Sequence, residues 1–278
     1  INTLLGRKRK ISDFPTHFIE NGRIIKDDKE IAEAFNNFFI NIGPILAKDI
    51  KPTTSQTYKS FLTDKIQSNF DFNTVDTEQV KKIISKLKSK SSCGHDGISS
   101  NLLKYINNTV AGIITLIINQ SLSTGIFPNK LKIAKVAPVF KKDDPHQFGN
   151  YRPISLLPAI SKIFEKVVFA QIYNYLNSNN LLYKHQYGFR KHHSTELAAI
   201  ELTDKIFDNL DKKKIPLAVF IDLSKAFDTI DHNILLSKLQ HYGIKGMALN
   251  WFHSYLTDRT QYVQYKDQTS TEKTITTG

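Results

Sequence analysis

Apolar residues recur along this chain with two spacings. Ile31, Phe35, Phe38, Phe39 and Ile42 share one face at a 3.6-residue period, which predicts a helix capped by Asp27 or Asp28 and ended or kinked at Gly43 and Pro44. The polar stretch KPTTSQTYKS at 51–60 has no such period and reads as a linker. From Thr77 a second helix runs to Leu87 with Val80, Ile83, Ile84 and Leu87 as its stripe, followed by a turn at SSCGHDGISS and helices over about 100–122. IAKVAPVF reads as a strand. After the turn-rich KKDDPHQFGNYRP comes a helix with Ile160, Ile163, Phe164, Val167 and Val168 at helical spacing, and another begins at Ser194 or Thr195. The run PLAVFI at 216–221 is too short for a helix and has the composition of a buried central strand. Helices over 234–242 and 247–256 follow, and TQYVQYKDQTSTEKTITT reads as a hairpin turning near Asp267 and Gln268. Helices and strands mix without strict alternation or repeat, which predicts an α+β fold.

The 278 residues, 40% of them hydrophobic, suffice for one large core or two smaller ones and exclude a disordered tail. A formal net charge of +12 changes the picture, because such a surface attracts polyanions, with nucleic acid first among them. The plain alternative is a well-solvated basic protein. Arg7, Lys8, Arg9 and Lys10 form one basic run and Lys212, Lys213 and Lys214 another, both where loops are expected. Lys81, Lys82, Lys86, Lys88 and Lys90 flank the apolar stripe of the second helix and read most simply as its wet face. A single cysteine, Cys93, rules out an internal disulfide and fits a reducing compartment. The histidines show no Cys/His pairing at zinc-ligand spacing. No secretory signal pattern opens the chain, and the uncharged stretch 105–129 is too interrupted by polar residues for a membrane span of about 20 residues.

Asp222 carries the most chemical promise. It ends the apolar run AVFI and precedes LSKAF, so a carboxylate is expected at the mouth of a sheet where the chain turns into a helix. Phosphoryl transfer uses two hard cations held by carboxylates in such a place. On spacing alone, a helix cap at Asp222 or Asp228 is the commoner arrangement. No second aspartate pair lies on a hydrophobic hairpin: Asp27–Asp28 and Asp143–Asp144 are both set among charged and turn residues. The residues alone therefore give half a metal site on a basic protein.

The stretch AVFIDLSKAFDTIDHNILLSKL closely resembles the first palm motif of reverse transcriptases from non-long-terminal-repeat (LINE-type) retrotransposons. That resemblance implies that Asp222 binds both catalytic metals, that Leu223 adds its backbone carbonyl, and that Phe227 is the steric gate against a ribose 2′-hydroxyl. LKIAKVAPVFKKDDPHQFGNYRPISLLPAISKIFEKVV resembles the first two fingers motifs, and places Lys141 and Arg152 where a lysine and an arginine approach the nucleotide triphosphate. HQYGFRKHHSTELAA resembles the next motif, with Gln186, Gly188, Phe189 and Arg190 beside the nucleic-acid path. SSCGHDGISSNLLKYI resembles the entry motif, with Cys93 and His95 where prolines are common and Gly94, Asp96, Gly97 and Ile98 retained.

The resemblance covers 77–278 and implies a right-hand polymerase fold, with residues 1–60 as a spacer or N-terminal helical extension. Residues 61–278 would be fingers and the front part of the palm, ending before the second aspartate motif. It further implies an RNA-directed DNA polymerase that uses two Mg2+ ions, or Mn2+, with an RNA template, a DNA primer and deoxynucleoside triphosphates. It would work inside the cell, in nucleus or cytoplasm, as a ribonucleoprotein without membrane attachment, and its protein partners are not specified. The 18 phenylalanines and 11 tyrosines allow base stacking, although most are expected in the core. On this reading the 278 residues are a fragment without activity of its own. Two rivals stand beside it: a group II intron maturase, and a non-catalytic nucleic-acid-binding remnant that keeps a basic groove.

Overall fold

The computed structural model describes residues 14–48, 58–62, 68–223 and 225–278, so the basic run at Arg7 and most of the 51–60 linker lie outside the described residues. In chain order, strands β1 (Phe18–Glu20) and β2 (Arg23–Ile25) precede helix α1 (Asp28–Lys48). Helices α2 (Thr77–Ser85), α3 (Ser100–Tyr105) and α4 (Asn107–Thr124) lead to β3 (Ile133–Phe140) and β4 (Tyr151–Leu156). Then come α5 (Ser161–Ser178), α6 (Thr195–Asp211), α7 (His232–His241) and α8 (Gly246–Leu256), and finally β5 (Thr260–Tyr265), β6 (Gln268–Thr269) and β7 (Lys273–Thr274). Helices and a mixed sheet thus occur together, as the unalternating pattern implies. Among the described residues no helix is long and apolar enough to cross a membrane.

Strand β3 organises the sheet. β4 pairs with it antiparallel on one side, with Val139 opposite Arg152, while β5 pairs parallel on the other with Ile133 opposite Thr260. β6 and β7 fold back on β5 through a turn at Lys266 and Asp267, where the predicted hairpin turns. β4 is a strand that the turn-rich pattern did not suggest. Among the described residues it pairs only with β3, and an edge position tolerates Pro153, which cannot donate to a ladder.

One face of this sheet packs on α1 and on the β1–β2 hairpin. Phe18, Ile25, Ile31 and Phe35 are buried there against Val136, Tyr151, Val263 and Tyr265. Asp27 caps α1, its Oδ1 accepting the Glu30 backbone N–H at 2.8 Å, and Ile31, Phe35 and Phe39 are buried as their spacing predicts. Gly43 and Pro44 do not end the helix, which continues to Lys48. Pro44 removes one backbone donor within the helix, and the helix continues past it for four more residues. Gly43 serves packing: a Cβ there would overlap the Asp228 carbonyl and the Thr277 hydroxyl. Asn36 is fully buried and satisfied across the interface, donating to the Thr271 carbonyl at 2.9 Å and accepting from the Gln261 amide at 3.0 Å.

A second core is helical, with Val80, Ile84, Ile114, Ile118, Phe164, Val167 and Trp251 meeting between α2, α4, α5 and α8. Trp251 is 1% exposed, and its indole N–H donates to Ser121 Oγ at 3.0 Å. The Tyr255 hydroxyl donates to Glu165 at 3.1 Å, and burial together with that carboxylate raises its pKa to about 12. Gly94 explains what the altered entry motif keeps: a Cβ at that position would lie 2.6 Å from Pro158 N, so the turn can approach the chain before α5 only as glycine.

The run at 216–221 departs from expectation. It forms no strand and is not buried, with Leu217 90% and Phe220 82% exposed. A central strand needs a hydrogen-bonded neighbour on each side, and among the described residues every paired strand belongs either to the β3 sheet or to the β1–β2 hairpin.

Candidate active site

The β3–β4 hairpin places Lys141 and Arg152. The Lys141 N–H donates to the Asn150 carbonyl at 2.8 Å, extending the ladder by one rung beyond Phe140 and Tyr151. Because Arg152 lies opposite Val139 and side chains alternate along a strand, Lys141 and Arg152 share a face as diagonal neighbours. That is the face away from α1, and both side chains are exposed on it beside the half-exposed Val139 and Ile154. Among the described residues neither makes a salt bridge. Two unneutralised cations on a hairpin fit an anion with several oxygens.

The loop before α6 carries the next predicted group. The Gln186 amide donates to the Gly188 carbonyl at 3.2 Å, and Arg190 Nη1 donates to the Tyr183 carbonyl at 3.0 Å. Arg190 Nε is buried without a partner, so this guanidinium is turned into its own loop. Phe189 has a φ of 62° and a ring 84% exposed, a conformation that holds the side chain out into solvent.

Glu201 of α6 fastens that loop, a role that sequence reasoning missed. It accepts from Lys205 Nζ and pairs with His185 Nδ1, each at 2.5 Å, and it also accepts from the Tyr187 hydroxyl. The Lys205 ammonium and the Tyr187 hydroxyl hold its carboxyl down to about 2. Only the i,i+4 spacing to Lys205 was visible along the chain, and that spacing signals a surface pair rather than a tether.

Asp222 and Phe227 lie in the irregular segment between α6 and α7. The expected turn into a helix right after Asp222 is absent: α7 begins at His232, and Asp231 caps it, accepting the Ile234 N–H at 3.0 Å. Asp222 is therefore not a helix cap, and neither is Asp228. Residues 225–229 are instead a set of turns, with Lys225 at a φ of 52° and the Asp228 N–H donating to its carbonyl at 3.0 Å. Phe227 is 66% exposed and meets Phe189 edge to face, the ring centroids 5.9 Å apart. The structure thus brings together two predicted residues from motifs 38 positions apart in the chain.

Asp222 is exposed, and among the described residues its carboxylate makes no salt bridge or hydrogen bond. It offers the oxygens that a hard divalent cation takes. Among the described residues no group of three or more His, Cys, Asp or Glu is placed to hold a metal ion. A single carboxylate is too few for a pair of cations.

Comparison with known proteins adds what geometry cannot. The profile of the Reverse transcriptase (RNA-dependent DNA polymerase) family matches residues 139–278, half of the chain. Over 266 residues the chain is 29% identical to "Probable RNA-directed DNA polymerase from transposon BS" of Drosophila melanogaster, covering 92% of this chain and 28% of that protein. It is 27% identical over 221 residues to "RNA-directed DNA polymerase from mobile element jockey" of the same species, covering 79% of this chain and 24% of that protein. It is also 23% identical over 236 residues to "Putative 115 kDa protein in type-1 retrotransposable element R1DM", covering 84% of this chain and 22% of that protein. The chain spans about a quarter of the length of these relatives. With the profile spanning β4 through β7 and the transposon BS relative matching 92% of the chain, this chain belongs to the reverse transcriptase family, of the non-long-terminal-repeat, LINE type.

Proposed function

We propose that this chain supplies the fingers and the front of the palm of a right-hand RNA-directed DNA polymerase, acting on an RNA template, a DNA primer and deoxynucleoside triphosphates. The observation that carries the reading is the β3–β4 hairpin, which presents Lys141 and Arg152 from one exposed face within the stretch matched to the family. Residues 61–278 are read as the polymerase domain and 1–60 as an N-terminal extension, whose described part packs on the same sheet.

In the reaction the primer 3′-hydroxyl attacks the α-phosphate of the nucleotide, a new phosphodiester bond forms, and pyrophosphate leaves. Arg152 binds the triphosphate oxygens bidentately, and Lys141 adds a movable point charge as negative charge builds on the leaving group. Phe227 lies under the sugar, where its ring rejects a 2′-hydroxyl by collision. Gln186, Gly188, Phe189 and Arg190 border the nucleic-acid path. Mg2+ or Mn2+, the divalent cations that reverse transcriptases use, would take oxygens from Asp222 and the Leu223 carbonyl in this chain. One carboxylate is too few for two cations, so the 278 residues by themselves are not expected to extend a primer.

Primer extension on an RNA template, with the full reading frame that carries these residues, tests the assignment. Arg152→Ala is expected to raise the nucleotide KM or lower kcat while leaving primer–template affinity unchanged. Phe227→Val is expected to raise ribonucleotide incorporation relative to deoxynucleotide in a protein that keeps its melting temperature. An unchanged nucleotide dependence would remove Arg152 from the triphosphate, and an unchanged sugar ratio in a folded variant would remove Phe227 from the gate.

A further inference from the structure

Five lysines from two segments far apart in sequence line one cavity of about 320 Å³: Lys86, Lys88 and Lys90 after α2, and Lys162 and Lys166 on the first turns of α5. The pattern of the second helix alone made the first three a solvated face. Folding brings the other two across from them because Val80 and Ile84 of α2 pack against Ile163 and Val167 of α5, leaving the charged edges of both helices side by side.

The cavity wall is held in place. Ser100, 6% exposed, donates from Oγ to the Lys88 carbonyl at 2.7 Å and accepts the Lys90 N–H at 3.1 Å, pinning the segment between those lysines to the start of α3. Lys104 reaches the same segment through Ser89 Oγ at 3.0 Å. Among the described residues none of the five ammonium groups forms a salt bridge, whereas Lys81 of α2 is paired with Glu78 at 2.8 Å. Glu165 is the carboxylate closest in sequence to Lys162 and Lys166, and it is engaged elsewhere, by Ser161 and by Tyr255 of α8, each at 3.1 Å.

Five like charges around one concavity repel one another, so the arrangement favours a polyanion whose charges are spaced along a chain. We infer that this lysine cavity between α2 and α5 is a docking site for the phosphodiester backbone of a nucleic-acid strand, separate from the triphosphate-facing pair Lys141 and Arg152. The choice of nucleic acid rests on the polymerase reading and on the net charge of +12. The contact is to phosphates, so it is independent of base sequence.

Fluorescence anisotropy of a labelled oligouridylate of about 20 nucleotides, read from about 50 to about 300 mM salt, tests this without requiring catalysis. The triple variant Lys88→Ala, Lys162→Ala, Lys166→Ala is expected to bind about tenfold more weakly and to lower the slope of log affinity against log salt by about 2, at ~0.7 per lost phosphate contact on a single strand. A control with Lys26→Ala, Lys59→Ala and Lys130→Ala makes the same charge change at exposed lysines outside the cavity and is expected to leave most of the slope intact. Lys→Arg at the three cavity positions should restore affinity, and matching thermal melts establish that the variants fold. Equal losses in both triple variants would overturn the proposal in favour of bulk charge. So would a wild-type chain that does not bind the oligonucleotide, or a triple variant that loses binding only to phosphatidylserine vesicles. Primer extension by the full reading frame judges the polymerase reading separately, so either can fail alone.

Discussion

Strand β3 and the run at 216–221 are built from much the same small, branched and aromatic residues, IAKVAPVF against PLAVFI, yet only one is paired. β3 has β4 along one edge and β5 beside Ile133 to Val136 on the other, and Ala134 and Val136 turn into the core. The run at 216–221 has no partner strand among the described residues, and Leu217, Val219, Phe220 and Ile221 are exposed on both parities. It borders a cavity of about 640 Å³ with Leu202 and Ile206 of α6, a helix that buries no residue of its own. The contrast teaches that an apolar run becomes a strand only when a neighbour completes its hydrogen bonds. Until then its burial is only a potential, and such an exposed edge is open to pairing with another chain.

Hydrogen exchange tests this contrast most sharply. The β3 amides of Ala137 and Val139, which face β4, are expected to exchange at least about a thousandfold more slowly than those of Leu217, Val219, Phe220 and Ile221, the factor given by an opening free energy of ~4 kcal/mol. Comparable protection in both would mean that the run is paired in solution. Truncation extends the comparison to side chains: Trp251→Ala should cost ~3–5 kcal/mol in urea unfolding, and Phe220→Ala less than about 0.5 kcal/mol. A large loss at Phe220 would place that ring in a core.

Gly43 of α1 closely approaches the turn segment before α7, at the Asp228 carbonyl. Gly43→Ala is therefore expected to destabilise by ~1–3 kcal/mol and to increase exchange in the segment from Lys225 to Asp231, because the overlap falls on backbone that must move. A neutral substitution would show that α1 does not anchor that segment.

The smallest effect is one of pH. With the Glu201 carboxyl lowered from 4.5 to about 2, its contribution is complete above about 4.5 and is lost as the pH falls through about 2. Limited proteolysis of the loop carrying His185, Tyr187 and Phe189 should accelerate over that acid window in the wild type. In Glu201→Gln the loop should be cleaved faster already at neutral pH, with little further change on acidification. Equal cleavage of the two proteins at neutral pH would dismiss the tether.

The sequence by itself determined the elements whose stabilisation is local or strongly periodic. The stripe of Val80, Ile84 and Leu87, the Asp27 cap, the Ser194 cap of α6 and the final hairpin were all legible because each signal lies within one or two turns of chain. The motif around Arg152 was legible too, yet β4 itself was not, since a proline-containing edge strand exists only through β3. Only tertiary structure decided that Gly43 and Pro44 sit inside a helix, that Phe189 meets Phe227, that Glu201 tethers a loop and that Lys162 faces Lys88. It also decided that PLAVFI stays exposed. These outcomes share a physical reason: each depends on a partner tens to hundreds of residues away, whose position no local spacing encodes.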